Sequence, residues 1–260
     1  MKVMRAREWA FPIASVRREV RRATPEVDEG RPPVLFVPGF GHGAWVFAEH
    51  WLEHTADRGF PAYAVSLRGH GDSAKAPKAT LRAYAHDVAQ VAASLPRRAV
   101  IVGHGAGALV TAHALARYPA RAAVLLSPVF GGTGTALRNP MLSLPALFGG
   151  GLRLPAGQLF SRELPSNAAR GYAARLGRAS TRAQWQLLRG RTPQPPVGDP
   201  PVLVVGSPDD RIVSDTALRR VARGYGGAPL LFPGMGHDLM LDTRWREPID
   251  AILDWLEKSA

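Results

Sequence analysis

The sequence predicts an α/β fold: a mostly parallel central sheet with helices on both faces and a cap inserted into the core. Three observations predict it. From about residue 33, short apolar runs alternate with helical stretches. Several of the runs, such as Val34-Leu35-Phe36-Val37 and Ala123-Val124-Leu125-Leu126, are apolar at every position, as in strands buried on both faces. The alternation stops near Gly131 and resumes at Pro201. Residues 1–130 and 199–260 are therefore assigned to the core, and 131–198 to the cap.

Taken in order, residues 14–20 read as an edge strand next to the basic patch Arg17-Arg18-Glu19-Val20-Arg21-Arg22. Charge there discourages pairing with another sheet. Strand 34–37 ends in Pro38-Gly39, and a helix over 44–56 offers Trp45, Trp51 and Leu52 for packing. Strand 62–66 runs into the turn Arg68-Gly69-His70-Gly71-Asp72-Ser73, which is read as structural. Thr80 caps a helix whose Leu81, Tyr84, Val88, Val91 and Leu95 share one face. Strand 99–102, helix 105–118 and strand 123–126 complete the first part. The cap holds helical pieces near 156–190. Strand 201–205, helix 214–224, strand 229–232 and a helix of about 246–258 follow.

The chain has 260 residues, 46% of them apolar and 21% charged, which suffices for one sizeable core. No apolar run approaches the roughly 18–20 residues of a membrane span, so none is expected. The first residues carry charge without an apolar stretch of signal-peptide length, so a cytoplasmic location is expected. There is no cysteine, which removes disulfides, thiolate metal sites and a thiol nucleophile.

In open α/β sheets ligands bind beyond the carboxyl ends of the strands. Four loops at those ends carry distinctive residues: Pro38-Gly39-Phe40-Gly41-His42-Gly43-Ala44-Trp45, Gly103-His104-Gly105-Ala106-Gly107, Gly206-Ser207-Pro208-Asp209-Asp210-Arg211, and Gly234-Met235-Gly236-His237-Asp238. Together they resemble the α/β-hydrolase family, most closely its small esterase, lipase and haloperoxidase-like branch, over residues 30–258. In that family a Gly-x-Ser-x-Gly turn presents a nucleophile, and an acid and then a histidine follow along the chain. The resemblance maps the turn onto Gly103–Gly107, the acid onto Asp210 and the base onto His237, and it implies an oxyanion hole made by the Phe40 and Ala106 amides.

The nucleophile position holds Gly105. Glycine has no side-chain oxygen, so an acyl-enzyme cannot form on it. Pro38 is a second, milder departure, standing where the family often has histidine. Asp209 is the alternate acid; Asp238 is expected to point away from His237 to the surface. His104 is read as a structural hydrogen-bonder, and His42, Trp45 and Ser127 are candidate substrate contacts. A backbone hydrogen bond is the competing role for Ser127.

Three outcomes of the missing hydroxyl compete. The His–Asp pair could activate water directly, giving hydrolysis without a covalent intermediate. It could instead move a proton on substrate, with the oxyanion hole holding an enolate or alkoxide, as in a lyase, isomerase, cyclase or decarboxylase. Or catalysis is lost, leaving a binding protein. An engineered serine-to-glycine change in an esterase is a further alternative.

No phosphate- or dinucleotide-binding spacing occurs, and His42, His70, His104 and His237 lie on separate loops without metal-ligand spacing, so neither a cofactor nor a metal is expected. The net charge is +12, and residues 131–198 hold nine arginines against a single acid, Glu163. Codon bias would spread arginine everywhere; the shortage of acids in the cap points to an anionic substrate or an acidic carrier protein. Leu142, Leu144, Leu147, Phe148, Leu152, Leu154 and Phe160 suggest an apolar pocket wall, with packing of the cap on the core as the competing role of most of them; the expected substrate is an apolar ester, thioester or lactone-like carbonyl compound. Nucleic acid is not an expected partner, since charge without a recognisable module is weak evidence.

Overall fold

The structure is a computed structural model and describes residues 13–131, 155–190 and 192–259. The described residues form a seven-stranded sheet of β1 (Val20–Ala23), β2 (Val34–Val37), β3 (Ala62–Val65), β4 (Val100–His104), β5 (Ala122–Leu126), β6 (Val202–Gly206) and β7 (Leu230–Leu231). The order is β1-β3-β2-β4-β5-β6-β7, and every pairing is parallel except β1 with β3. β2, β4 and β5 are buried at every position, as their unbroken apolar sequence requires.

The strands alternate between two cores. Val34, Phe36, Val100, Val102 and Val124 pack with the helices α1 (Trp45–Ala48), α2 (Trp51–Asp57) and α9 (Arg246–Ser259). Leu35, Val37, Ile101 and Ala123 pack on the other face with α3 (Leu81–Ser94) and α4 (Ala106–Leu115). A period of two along each strand therefore sends alternate side chains to opposite helical layers. Thr80 caps α3, its side chain accepting from the Ala83 amide at 3.2 Å.

Two elements differ from expectation. The edge strand is Val20–Ala23 rather than 14–20, with Val20 opposite Val65 and Ala23 opposite Ala62. Residues 17–19 instead brace the 66–74 turn: Ala74 donates to the Arg17 carbonyl, Ser66 to the Glu19 carbonyl, and Arg18 reaches Asp87 at 2.9 Å. The helix over 44–56 is broken in two at Glu49-His50. There the His50 ring stacks on Trp245 at 4.8 Å, and Trp51 donates to the Trp245 carbonyl. These contacts from a remote segment outweigh helix continuity.

Between β5 and β6 lie α5 (Ala156–Leu159), α6 (Ser166–Ala174) and α7 (Thr181–Leu188), followed after β6 by α8 (Asp215–Gly224). Phe160 is buried, whereas Leu142, Leu144, Leu147, Phe148, Leu152 and Leu154 lie outside the described residues, as do Arg138, Arg153 and Arg191. The six described arginines of this insertion, at 162, 170, 175, 178, 182 and 189, are all exposed. No described helix is long and apolar enough to cross a membrane.

Candidate active site

The chain leaves β2 outward to β3 and returns to β4 on the other side of β2. That reversal opens the crevice where ligands bind in such sheets. The loops after β2 and β4 flank it, and the loops after β6 and β7 reach it.

Gly105 forms the turn between β4 and α4, with φ +54° and ψ −123°. This is backbone that side-chain-bearing residues adopt only under strain. Its amide donates to the Leu126 carbonyl at 2.9 Å, and its carbonyl accepts from Ala108 and Val129. Gly107 lets α4 start against β2, since a Cβ there would lie 2.7 Å from the Val37 carbonyl oxygen. Gly105 thus takes a conformation that glycine adopts without a Cβ penalty, and it offers no side-chain atom of its own.

His237 stands above it. Its Nδ1 donates to Asp210 Oδ2 at 2.8 Å, and its Nε2 lies 3.1 Å from where a Cβ on Gly105 would sit. Asp210 is held in turn by the Ile212 and Val213 amides, which donate to its other oxygen at 2.7 and 3.0 Å. Burial opposes a charged His237 ring, but the charge and hydrogen bond of Asp210, with the charge of Asp238, outweigh it and raise the pKa above 6.5. Asp209 does not reach the ring; it accepts from the Gly234 amide at 2.7 Å and shapes the loop.

Ala106 is the first residue of α4, so its N–H is one of the helix-start donors without a partner inside the helix. Phe40 lies in the turn after β2, its ring edge-on to Tyr84. The loop of Phe40 approaches Gly105 through its neighbour Gly39, whose Cα lies 3.8 Å from where a Cβ on Gly105 would sit.

The other candidates fall differently. Trp45 is buried under the insertion, with the Arg175 guanidinium 3.9 Å from its ring centre and Tyr172 beside it. His42 is 2% exposed, and its nitrogens face Asp238 Oδ2 at 2.9 Å and the Phe40 carbonyl at 3.2 Å. Ser127 is fully buried with φ +42°, and its hydroxyl has no hydrogen-bond partner among the described residues. It therefore does not make the backbone bond expected of a strand-end serine.

Asp238 corrects the sequence reading. It is 1% exposed and faces inward, because its amide donates to the Leu159 carbonyl while its carboxylate meets His42. Leu159 and His42 are remote in the chain, so only a rough turn geometry after His237 was visible in the sequence. The histidines also come together despite their separate loops: His104, His237 and Asp238 bring ligand atoms within 4.8 Å of one another. Tetrahedral zinc bound at about 2.0–2.1 Å needs donors roughly 3.3 Å apart. His104 Nε2 donates to the His237 carbonyl at 3.2 Å and lies 3.4 Å from Asp238 Oδ1. Burial, with the nearby His237 charge, pushes His104 down to about 3, so its ring is neutral.

Described residues between β5 and β6 touch the loops of this site at two points. Gly177 donates to the Gly41 carbonyl at 2.7 Å, and a Cβ on Gly236 would lie 2.6 Å from the Leu159 carbonyl oxygen.

Residues 34–254 match the alpha/beta hydrolase family, and the chain belongs to that family. It is 31% identical over 256 residues to a 2-(acetamidomethylene)succinate hydrolase of Mesorhizobium japonicum, covering 86% of this chain and 88% of that protein. Among solved structures it resembles a monoacylglycerol lipase of Paleococcus ferrophilus, with TM-score 0.72, 19% identity, and 95% and 100% of the two chains covered. It also resembles a thermophilic esterase of Thermogutta terrifontis, with TM-score 0.73, 18% identity and 94% of each chain covered. Family membership and a hydrolase relative support an enzyme.

Proposed function

We propose that this protein hydrolyses a carbonyl substrate without a covalent serine intermediate. His237, oriented by Asp210, takes a proton from water in the space above Gly105. The Phe40 and Ala106 amides hold the oxygen that becomes negative. The observation that carries this reading is the free Nε2 of an Asp-bound imidazole aimed at the vacant side-chain position of Gly105. General-base catalysis is worth roughly 10²–10⁴-fold, and it needs a base within one water of the reacting carbon.

The segment 131–198 acts as a cap. Its exposed arginines at 162, 170, 175, 178, 182 and 189 favour a substrate that joins an apolar ester, thioester or lactone-like group to an anionic one. The relative from Mesorhizobium japonicum is named for a succinate, which carries two carboxylates. An acidic carrier protein bearing an acyl chain would meet the same charge.

A second reading is proton transfer on substrate without hydrolysis. The observation favouring it is the 3% exposure of His237, which limits access of bulk water. One experiment separates the two. Wild type and His237→Ala are incubated in ¹⁸O-water with 2-(acetamidomethylene)succinate and with short p-nitrophenyl esters. Hydrolysis puts ¹⁸O into the acid product, and the variant loses at least about 100-fold in rate. Turnover without ¹⁸O in any product overturns hydrolysis in favour of proton transfer. Equal rates in both proteins overturn both readings.

A further inference from the structure

The loop after β7 carries a carboxylate that the proposed reaction does not yet use. Asp238 Oδ2 accepts from His42 Nε2 at 2.9 Å, which ties the loop of His237 to the loop of Phe40. Its Oδ1 makes no hydrogen bond and lies 3.4 Å from His104 Nε2, at the end of β4. His104 in turn donates to the His237 carbonyl. Three loops of the crevice thus converge on one buried carboxylate.

Burying an ionised carboxylate costs several kcal/mol unless it is paired and hydrogen-bonded. Here His42 supplies the pairing. Burial would raise the Asp238 pKa, but the charge and hydrogen bond of His42 foremost, with the charge of His237, hold it below the usual range. The groups facing His237 are Asp210 from the loop after β6, Asp238 beside it and His104 from β4; those facing Asp238 are His42, His104 and His237.

We infer that Asp238 is a positioning residue: it locks the oxyanion loop to the base loop through His42, and it sets a second carboxylate within 4.8 Å of a His237 ring nitrogen. This rests on the proposed role of His237 but deepens it, since one group sets both the base and the oxyanion loop.

The test is an NMR titration of the His237 ring in ¹⁵N-histidine-labelled protein, which needs no substrate. In Asp238→Asn the His237 midpoint falls by about one pH unit, as loss of a neighbouring charge requires. In Asp209→Asn, where the carboxylate bonds the Gly234 amide, it stays put. An unchanged midpoint in folded Asp238→Asn overturns the inference. The second readout is ester hydrolysis in a Gly105→Ser background. Adding His42→Gln there lowers kcat about tenfold with KM unchanged, because the loop tie is loosened; this arm also serves if Asp238→Asn does not fold. An unchanged kcat overturns the loop-locking role. A purely structural Asp238 moves the melting temperature and neither readout. If the wild type turns over nothing yet the midpoint shifts, the proposed function fails and the charge coupling stands.

Discussion

The Nε2 of His237 lies 3.1 Å from the point where a side chain on Gly105 would begin, on a ring that Asp210 holds at 2.8 Å. A base is in place, oriented and aimed, and the group it would normally deprotonate is absent. The proposed mechanism gives that group's place to water.

Restoring the hydroxyl should convert the mechanism. Gly105→Ser places a Cβ tighter against His237 than most contacts, so the ring must give by a few tenths of an ångström. Its φ of +54° costs about 1–3 kcal/mol of stability. The expected result is a rise in p-nitrophenyl acetate hydrolysis with a burst of nitrophenol equal to the enzyme concentration. Stopped-flow absorbance checks it; no burst and no rise mean that the frame is not competent.

Asp210→Asn keeps the shape of the partner and removes its charge. Turnover should fall by about 10²–10⁴-fold, as loss of the orienting acid does in triad enzymes. The pH profile carries the sign. A general base must be neutral, so wild-type activity rises with pH and is half-maximal above 6.5, because Asp210 and Asp238 outweigh burial at His237. In the variant the half-point moves down. A pH–rate profile that does not shift argues that Asp210 has no electrostatic hold on the base.

Ser127→Ala separates structure from function. The hydroxyl is buried without a partner, and leaving such a group unpaired costs about 1–3 kcal/mol. Its removal should leave the melting temperature unchanged or higher. If the hydroxyl meets substrate, kcat/KM falls about tenfold at the same time. A drop in melting temperature with full activity means that it serves the fold alone.

Acid should weaken the fold through neutral histidines. Burial lowers His70 to about 4 and His104 to about 3. Between pH 6.5 and 4 the unfolded chain therefore binds more protons than the folded one, so stability falls as pH falls. Two such groups give a slope of about 2–3 kcal/mol per pH unit near pH 5. Urea unfolding at pH 5 and pH 6 checks it, and His70→Gln should flatten the slope by about half.

Local signals were legible where the chain decides its own structure. The unbroken apolar runs became the central strands, Thr80 became a cap, and His237 bonds Asp210 beside Gly105. What the sequence hid was set by distant partners. The inward turn of Asp238 depends on His42 and Leu159, and the break at His50 depends on Trp245. The unpartnered hydroxyl of Ser127 was hidden as well, because no local signal marks its φ of +42°.

Intact-protein mass spectrometry on wild type, quenched during steady ester turnover, addresses the proposed chemistry most directly. Attack by water that His237 activates predicts the unmodified mass throughout, while Gly105→Ser gains one acyl group. An acyl adduct on the wild-type chain, at Ser127 or anywhere else, contradicts it.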